Sequence, residues 1–303
     1  IPTAIAAGHI IEGYRQTGYV GAVLAFVCML FSILGTRSHI PRLLAAPRKQ
    51  DSQPWYFAFS NLIGLLRIQS ARAVLLGSLV MATTVGVSST MLLHINTYFY
   101  GFSSEQMGVF MLAIVLSLVP ASWMAMKGTQ WFGKPRSVIY LLFAAACVGP
   151  IPVLLHLYGL TPANGSGVLL AVVCSFVVLH QAFYIAKLNV VAAIIPDVVD
   201  EIELETGVRQ EGILNSAMML TQKVTFGLGA FFAGVVIELS GFKGVTSAAE
   251  VSADMLARLA WMYGPGLSLM LLLSAYCYSR YKVNHQRYDE IRMQLERARE
   301  SLN

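Results

Sequence analysis

Long runs of apolar residues alternate with short polar segments along most of the chain. Seven of these runs have about 20 mainly apolar residues, the length that an α-helix needs to cross a hydrocarbon layer of roughly 30 Å. They cover residues 18–36, 74–100, 107–126, 138–160, 168–196, 213–239 and 258–278. The pattern predicts an all-α membrane protein whose helices pack against one another.

The composition supports this fold class. The 303 residues are 56% hydrophobic and 12% charged, about half the charged share of roughly 25% in a soluble domain. The net charge of +5 is too small for a nucleic-acid binder, and the apolar fraction is too high for a disordered chain. The four cysteines lie far apart inside apolar runs, unlike a disulfide framework or a metal site. We therefore expect a lipid bilayer around the protein, no nucleic-acid partner and no cofactor.

The basic residues are distributed unevenly between the two sides of the predicted helices. Placing the C-terminus in the cytoplasm assigns most of the 21 lysines and arginines to the cytoplasmic side, as the positive-inside rule requires. Seven crossings then place Ile1 outside, and the chain does not open with Met. We expect a truncated chain with four parts. These are the last helix of an N-terminal bundle (1–36), a central cytoplasmic linker (37–73), a six-helix bundle (74–281) and a cytoplasmic helical tail (282–303).

Lys223 lies deep inside the sixth predicted helix. It follows Gly212 by 11 residues, or about 16 Å at 1.5 Å per residue. An ionisable side chain at this depth usually faces a bundle interior or a water-filled cavity. Asn215 and Gln222 share its helix face. The three residues indicate a substrate-binding cavity. The alternative is a structural Lys223, satisfied by carbonyl groups or an ion pair.

A second polar stripe runs along the fifth predicted helix. His180, Tyr184 and Lys187 recur at i, i+4 and i+7. If Asp197 marks the membrane surface, Lys187 lies 10 residues inward, at a depth of about 15 Å that is similar to that of Lys223. All three are candidate substrate contacts. The alternatives are a structural Lys187 and a hydrogen-bonded core His180.

The connection between these two helices is unusually acidic. Between Pro196 and Gly212 it has six acids and one arginine, although the cytoplasmic side is otherwise basic. Ion pairs that form and break there would give a two-state cytoplasmic gate, and a solvated charged loop is the alternative. The candidate gate residues in this connection are Asp197, Asp200, Arg209 and Glu211. Lys134 and Arg136, in the connection between the third and fourth helices, are the candidate partners.

The same segment resembles a known family, the glycoside-pentoside-hexuronide:cation symporters, which include melibiose permease and belong to the major facilitator superfamily. The resemblance is found in Asp197-Val198-Val199-Asp200-Glu201, Gly207-Val208-Arg209-Gln210-Glu211-Gly212, Lys223 and the glycine-rich run from Gly227 to Gly234. It extends over the whole chain, because the basic linker and the charged C-terminal helix also correspond. The acidic segment with its Arg-x-Glu is the specific part of the match.

The resemblance implies two six-helix bundles, alternating access, and sugar uptake coupled to Na⁺, H⁺ or Li⁺ in a bacterial inner membrane. It implies that Lys223 lies near the sugar and cation sites, and that the cation's carboxylate ligands belong to the N-terminal bundle, outside this chain. Lys187 and His180 depart from the pattern of a neutral galactoside carrier. Two cationic groups in one cavity favour a substrate with a carboxylate or a sulfonate.

The sequence therefore predicts secondary active symport of a sugar, a glycoside or a hexuronide by alternating access. One alternative is a lysolipid-type symporter of the related facilitator branch, because a cavity lysine also suits a phosphate headgroup. Another is a non-transporting membrane scaffold. A membrane-embedded enzyme is not expected, since the six histidines have neither metal-ligand nor catalytic-triad spacing.

Overall fold

The computed structural model of the chain describes residues 2–37, 64–242, 244–245, 250–283 and 285–300. All the regular secondary structure in these ranges is helical, which confirms the predicted all-α fold. The predicted linker, residues 37–73, lies for most of its length outside the described residues. The chain divides into two units, Ile1–Pro54 and Trp55–Asn303.

The first unit contains the helix α1, Pro2–Thr36. The described helices of the second unit are α2 (Gln69–His94), α3 (Ser104–Leu116), α4 (Leu118–Val148), α5 (Ile151–Leu157), α6 (Gly167–Thr206), α7 (Glu211–Leu239), α8 (Ala253–Trp261), α9 (Leu267–Ser279) and α10 (His285–Glu300). A π-helical turn, Ile95–Phe99, continues α2, and a second one, Met262–Gly266, joins α8 to α9.

Six helical stretches among the described residues are long and apolar enough to cross a membrane. The longest, Ser104–Leu157, has 54 residues, or about 81 Å at 1.5 Å per residue, which is more than twice the hydrocarbon thickness. It turns back at Gly133, where φ is 75° and ψ is 164°. A Cβ on Gly128 would lie only 3.4 Å from Oγ of Ser137. The stretch thus accounts for two crossings, and the six stretches accommodate the seven predicted helices.

Two segments that were predicted as loops are helical, so those predictions were wrong. The acidic segment continues α6 for ten residues beyond Pro196, to Thr206. It remains helical because Val198, Val199 and Ile202 are buried and extend the apolar face of α6. The predicted connection between the third and fourth helices, residues 127–137, is reduced to the turn at Gly133.

The second unit is built on close packing between its long helices. α4 packs along α6, α2 packs along α7, and α9 contacts both α2 and α4. The contact between α2 and α7 requires glycine, because a Cβ on Gly229 would lie 2.5 Å from Cα of Gly86. Small residues of this kind let two helix backbones approach each other inside a membrane.

The C-terminal helix α10 packs against α6. Ile291 and Leu295 are buried, and Tyr288 packs beside them in the same apolar cluster. Burial of this stripe places α10 against the end of the bundle that contains the acidic segment.

Candidate functional site

The helix α7 presents a polar stripe on its open side. Lys223 lies 12 residues after Glu211 in a helix of 29 residues, or about 18 Å from the start of the helix. Lys223, Gln222 and Asn215 are exposed, whereas Leu214, Ala217 and Ala233 on the same helix are buried. The three sequence-predicted contacts on α7 therefore share one accessible surface.

Lys223 makes no ion pair with a carboxylate in the part of the chain that the structure describes. A lysine that faces lipid near the membrane centre costs about 2.5–3.5 kcal/mol or more. The open side of α7 must therefore face water or other protein at the depth of Lys223. An exposed ammonium group that has no carboxylate partner among the described residues suits an anionic ligand.

Lys187 occupies a different environment, inside the bundle. Its side chain is 1% exposed, and Nζ lies 4.9 Å from the centroid of the Tyr278 ring. The hydroxyl groups of Tyr278 and Ser78 share a hydrogen bond of 2.8 Å, which holds the ring between α2 and α6. Among the described residues Lys187 pairs with no carboxylate, so the aromatic face takes the place of a counter-charge.

Tyr184 and His180 also lie in the bundle interior. Tyr184 packs against the buried apolar core. His180 approaches α4, because a Cβ on Gly149 would lie 3.1 Å from Cδ2 of His180. It lines a cavity of about 90 Å³ together with Asn96 and Tyr263. The structure thus separates the six predicted contacts: the three on α7 are exposed, whereas on α6 Lys187 is buried and His180 and Tyr184 are partly buried.

The predicted gate residues form two ion-pair clusters. In the first, Nζ of Lys134 donates to the carboxylate of Asp197 at 2.7 Å and to the carbonyl of Ala193 at 3.0 Å. Asp197 is only 5% exposed. Burial raises the pKa of the nearby Tyr281 phenol, and the carboxylates of Asp197 and Glu201 raise this pKa further. This cluster joins α4, α6 and the segment before α10.

The second cluster surrounds Arg209, just after α6. Its guanidinium donates to Asp200 at 2.9 Å, to Glu203 at 3.2 Å and to Glu211 at 3.4 Å. Glu203 was missed as a candidate, although it lies one helical turn after Asp200. The spacing of Asp200 and Glu203 places both side chains on one face only if the acidic segment is helical. The cluster joins the end of α6 to the start of α7.

Arg136 belongs to neither cluster. It is exposed, and it pairs with no carboxylate in the described ranges. Every ion pair of the two clusters lies within the second unit of the chain. The clusters therefore join the turn inside α4, the end of α6 and the start of α7 as one charged surface.

The family described as MFS/sugar transport protein matches residues 2–285 of the chain. An uncharacterized symporter of Synechocystis is 52% identical over 50 residues, which make up 16% of this chain and 9% of that protein. A Salmonella typhimurium protein provisionally named a sulfoquinovose importer is 26% identical over 119 residues, or 39% of this chain and 24% of that protein. The matched segments thus span at most 24% of the length of these relatives. No solved structure shows a significant match.

Proposed function

This chain belongs to the MFS/sugar transport protein family, and from that membership we propose that it forms part of a cation-coupled symporter for a sugar or a sugar acid. Family membership confirms the predicted major facilitator fold, a multi-pass membrane protein, and a transporter rather than an enzyme. In the proposed mechanism the bundle of the second unit rocks against a partner bundle, so that a site between them opens to each side in turn.

The observation that supports this proposal most strongly is the accessible Lys223 at membrane depth, which pairs with no carboxylate among the described residues. Its position is costly in lipid and is well suited to a polar substrate in a water-filled cavity. We assign direct substrate contacts to Lys223, Gln222 and Asn215, since all three are exposed on α7. Lys223 would attract an anionic group, while the two amides would hydrogen-bond sugar hydroxyls.

An anionic sugar fits this site better than a neutral one. Lys187 is enclosed behind Tyr278 and does not reach the surface of Lys223. We propose that its ammonium acts at a distance, adding to the positive potential of the bundle in a medium of low dielectric constant. The name of the Salmonella relative refers to sulfoquinovose, a sulfonated sugar. A sulfonate or a carboxylate on the substrate is therefore the proposed specificity.

The two ion-pair clusters are the proposed cytoplasmic gate. Lys134 with Asp197, and Arg209 with its three carboxylates, hold one end of the bundle as a single charged surface. A partner bundle with complementary charge would close against this surface and separate from it when the site opens inward. The proposed orientation places this end and the C-terminus in the cytoplasm of a bacterium, with the protein in its plasma membrane. The ligands of the coupling Na⁺ or H⁺ are assigned to parts of the protein outside this chain.

Uptake into right-side-out vesicles by the full-length carrier tests the proposal. A hexuronide, sulfoquinovose and a neutral glycoside are offered under Na⁺ and pH gradients. We expect gradient-driven accumulation of an anionic sugar, abolished in Lys223→Gln and retained in Lys282→Gln, a matched change at an exposed lysine. Absence of accumulation under every gradient would refute symport and favour the lysolipid carrier or the scaffold.

A further inference from the structure

Three exposed aromatic residues form a continuous patch at the turn inside α4. Trp131 is 65% exposed, Phe132 is 47% exposed and Tyr140 is 50% exposed. The ring centroids of Trp131 and Phe132 are 6.4 Å apart, and those of Phe132 and Tyr140 are 4.9 Å apart. The patch extends around the turn at Gly133 and along both limbs of the helical hairpin. The proposed transport mechanism uses none of these rings.

Two basic residues lie beside this patch. Arg136 precedes Tyr140 by four residues on one limb, and Lys127 precedes Trp131 by four on the other, so each cation shares a helix face with an aromatic ring. Neither pairs with a carboxylate among the residues that the structure describes; Lys127 donates only to Oε1 of Gln130, at 3.4 Å. Lys134, between them, is instead committed to Asp197.

The position of the patch favours a lipid over a soluble protein as its partner. The hairpin joins two membrane-crossing helices, so its turn lies at the membrane surface. Tyr140 lies seven residues past Gly133, or about 10 Å deeper. Aromatic side chains are typical of this interfacial depth. A guanidinium group binds phosphate through paired hydrogen bonds, and basic residues at the cytoplasmic leaflet attract anionic lipids.

We propose that Lys127, Arg136 and the three aromatic residues form a binding site for the headgroup of an anionic phospholipid. The two cations bind oxygens of the headgroup phosphate, and the aromatic rings pack against the glycerol and the upper acyl chains. The site rests on the cytoplasmic placement of this end of the bundle, but not on the identity of the transported sugar.

Native mass spectrometry of the full-length carrier, titrated with phosphatidylglycerol or with phosphatidylcholine, tests the site. We expect phosphatidylglycerol to bind more tightly to the wild type. The double variant K127Q/R136Q should lose about fivefold in phosphatidylglycerol affinity for each charge removed. The control R67Q/R72Q removes two exposed charges before and within the start of α2, at the same end of the bundle, and should keep the wild-type affinity.

Melting curves of each purified variant show whether it is folded. If K127Q/R136Q does not fold, R136Q alone, at an exposed position, should show a single loss of about fivefold. Equal affinity of the wild type for the two lipids would overturn the proposal. An equal loss in R67Q/R72Q would also overturn it, because the effect would then belong to the general surface charge.

Discussion

Replacing Gly229 with alanine should disrupt the packing of α7 on α2. The added Cβ would lie 2.5 Å from Cα and 2.7 Å from the carbonyl carbon of Gly86. Both neighbours are backbone atoms, so no side-chain rotation can relieve the contact. The two helices must separate by about 1 Å to reach ordinary van der Waals distance. Since α7 includes Lys223, this separation would also displace the proposed substrate surface.

The cost follows from overpacking between two rigid backbones. Adding one methyl group to a well-packed interface costs about 1–3 kcal/mol. For a domain of about 150–250 residues, the size of the second unit, Trp55–Asn303, each kcal/mol lowers the melting temperature by about 2–4 °C. Gly229→Ala should therefore melt roughly 2–12 °C below the wild type.

The assay is thermal unfolding of the purified full-length carrier in detergent, with Gly234→Ala as the control. A Cβ on Gly234 would meet nothing within 4 Å, and alanine favours the helix over glycine by about 1 kcal/mol. The control should therefore melt at the wild-type temperature or slightly above it. Equal melting temperatures for Gly229→Ala and Gly234→Ala would refute the proposed close contact between α2 and α7.

Three further predictions concern single contacts. Lys134→Gln and Asp197→Asn should each lower the unfolding free energy by about 1–3 kcal/mol, and a double-mutant cycle should show positive coupling; zero coupling would contradict the ion pair. Lys187→Gln should weaken uptake of an anionic sugar only a few-fold and leave neutral sugars unaffected, because Lys187 is enclosed; a loss as large as that of Lys223→Gln would contradict this geometry. Ser103→Ala removes the capping box of α3 and should lower stability by about 1 kcal/mol, whereas Ser104→Ala should not.

The fold class and the crossings could be predicted because they follow from local hydropathy. The ends of helices were harder to place. Pro196 suggested a helix end, but a buried apolar stripe of Val198, Val199 and Ile202 keeps α6 helical beyond it. The sharp turn at Gly133 depends on one backbone conformation, with φ of 75°, and hydropathy does not report it.

The candidate site could be predicted only in part. Depth along a helix identified both Lys223 and Lys187 as polar residues inside the membrane. Depth does not report which side of a helix is covered, and Tyr278, which encloses Lys187, lies 91 residues further along the chain. The pairing of Lys134 with Asp197, 63 residues away, was suggested by charge complementarity alone. Arg136, the other basic candidate for the gate, has the same charge as Lys134 but pairs with no carboxylate in the described ranges.

The most direct test of the account is the accessibility of residue 223 to water inside the membrane. Lys223→Cys, in a full-length carrier without other cysteines, is treated with a small charged thiol reagent in vesicles. Ala217→Cys, at a position of α7 that is 3% exposed, is the control. The account predicts rapid labelling at position 223, slowed by an anionic sugar, and little labelling at position 217. Equally slow labelling at both positions would contradict a water-filled substrate cavity at Lys223.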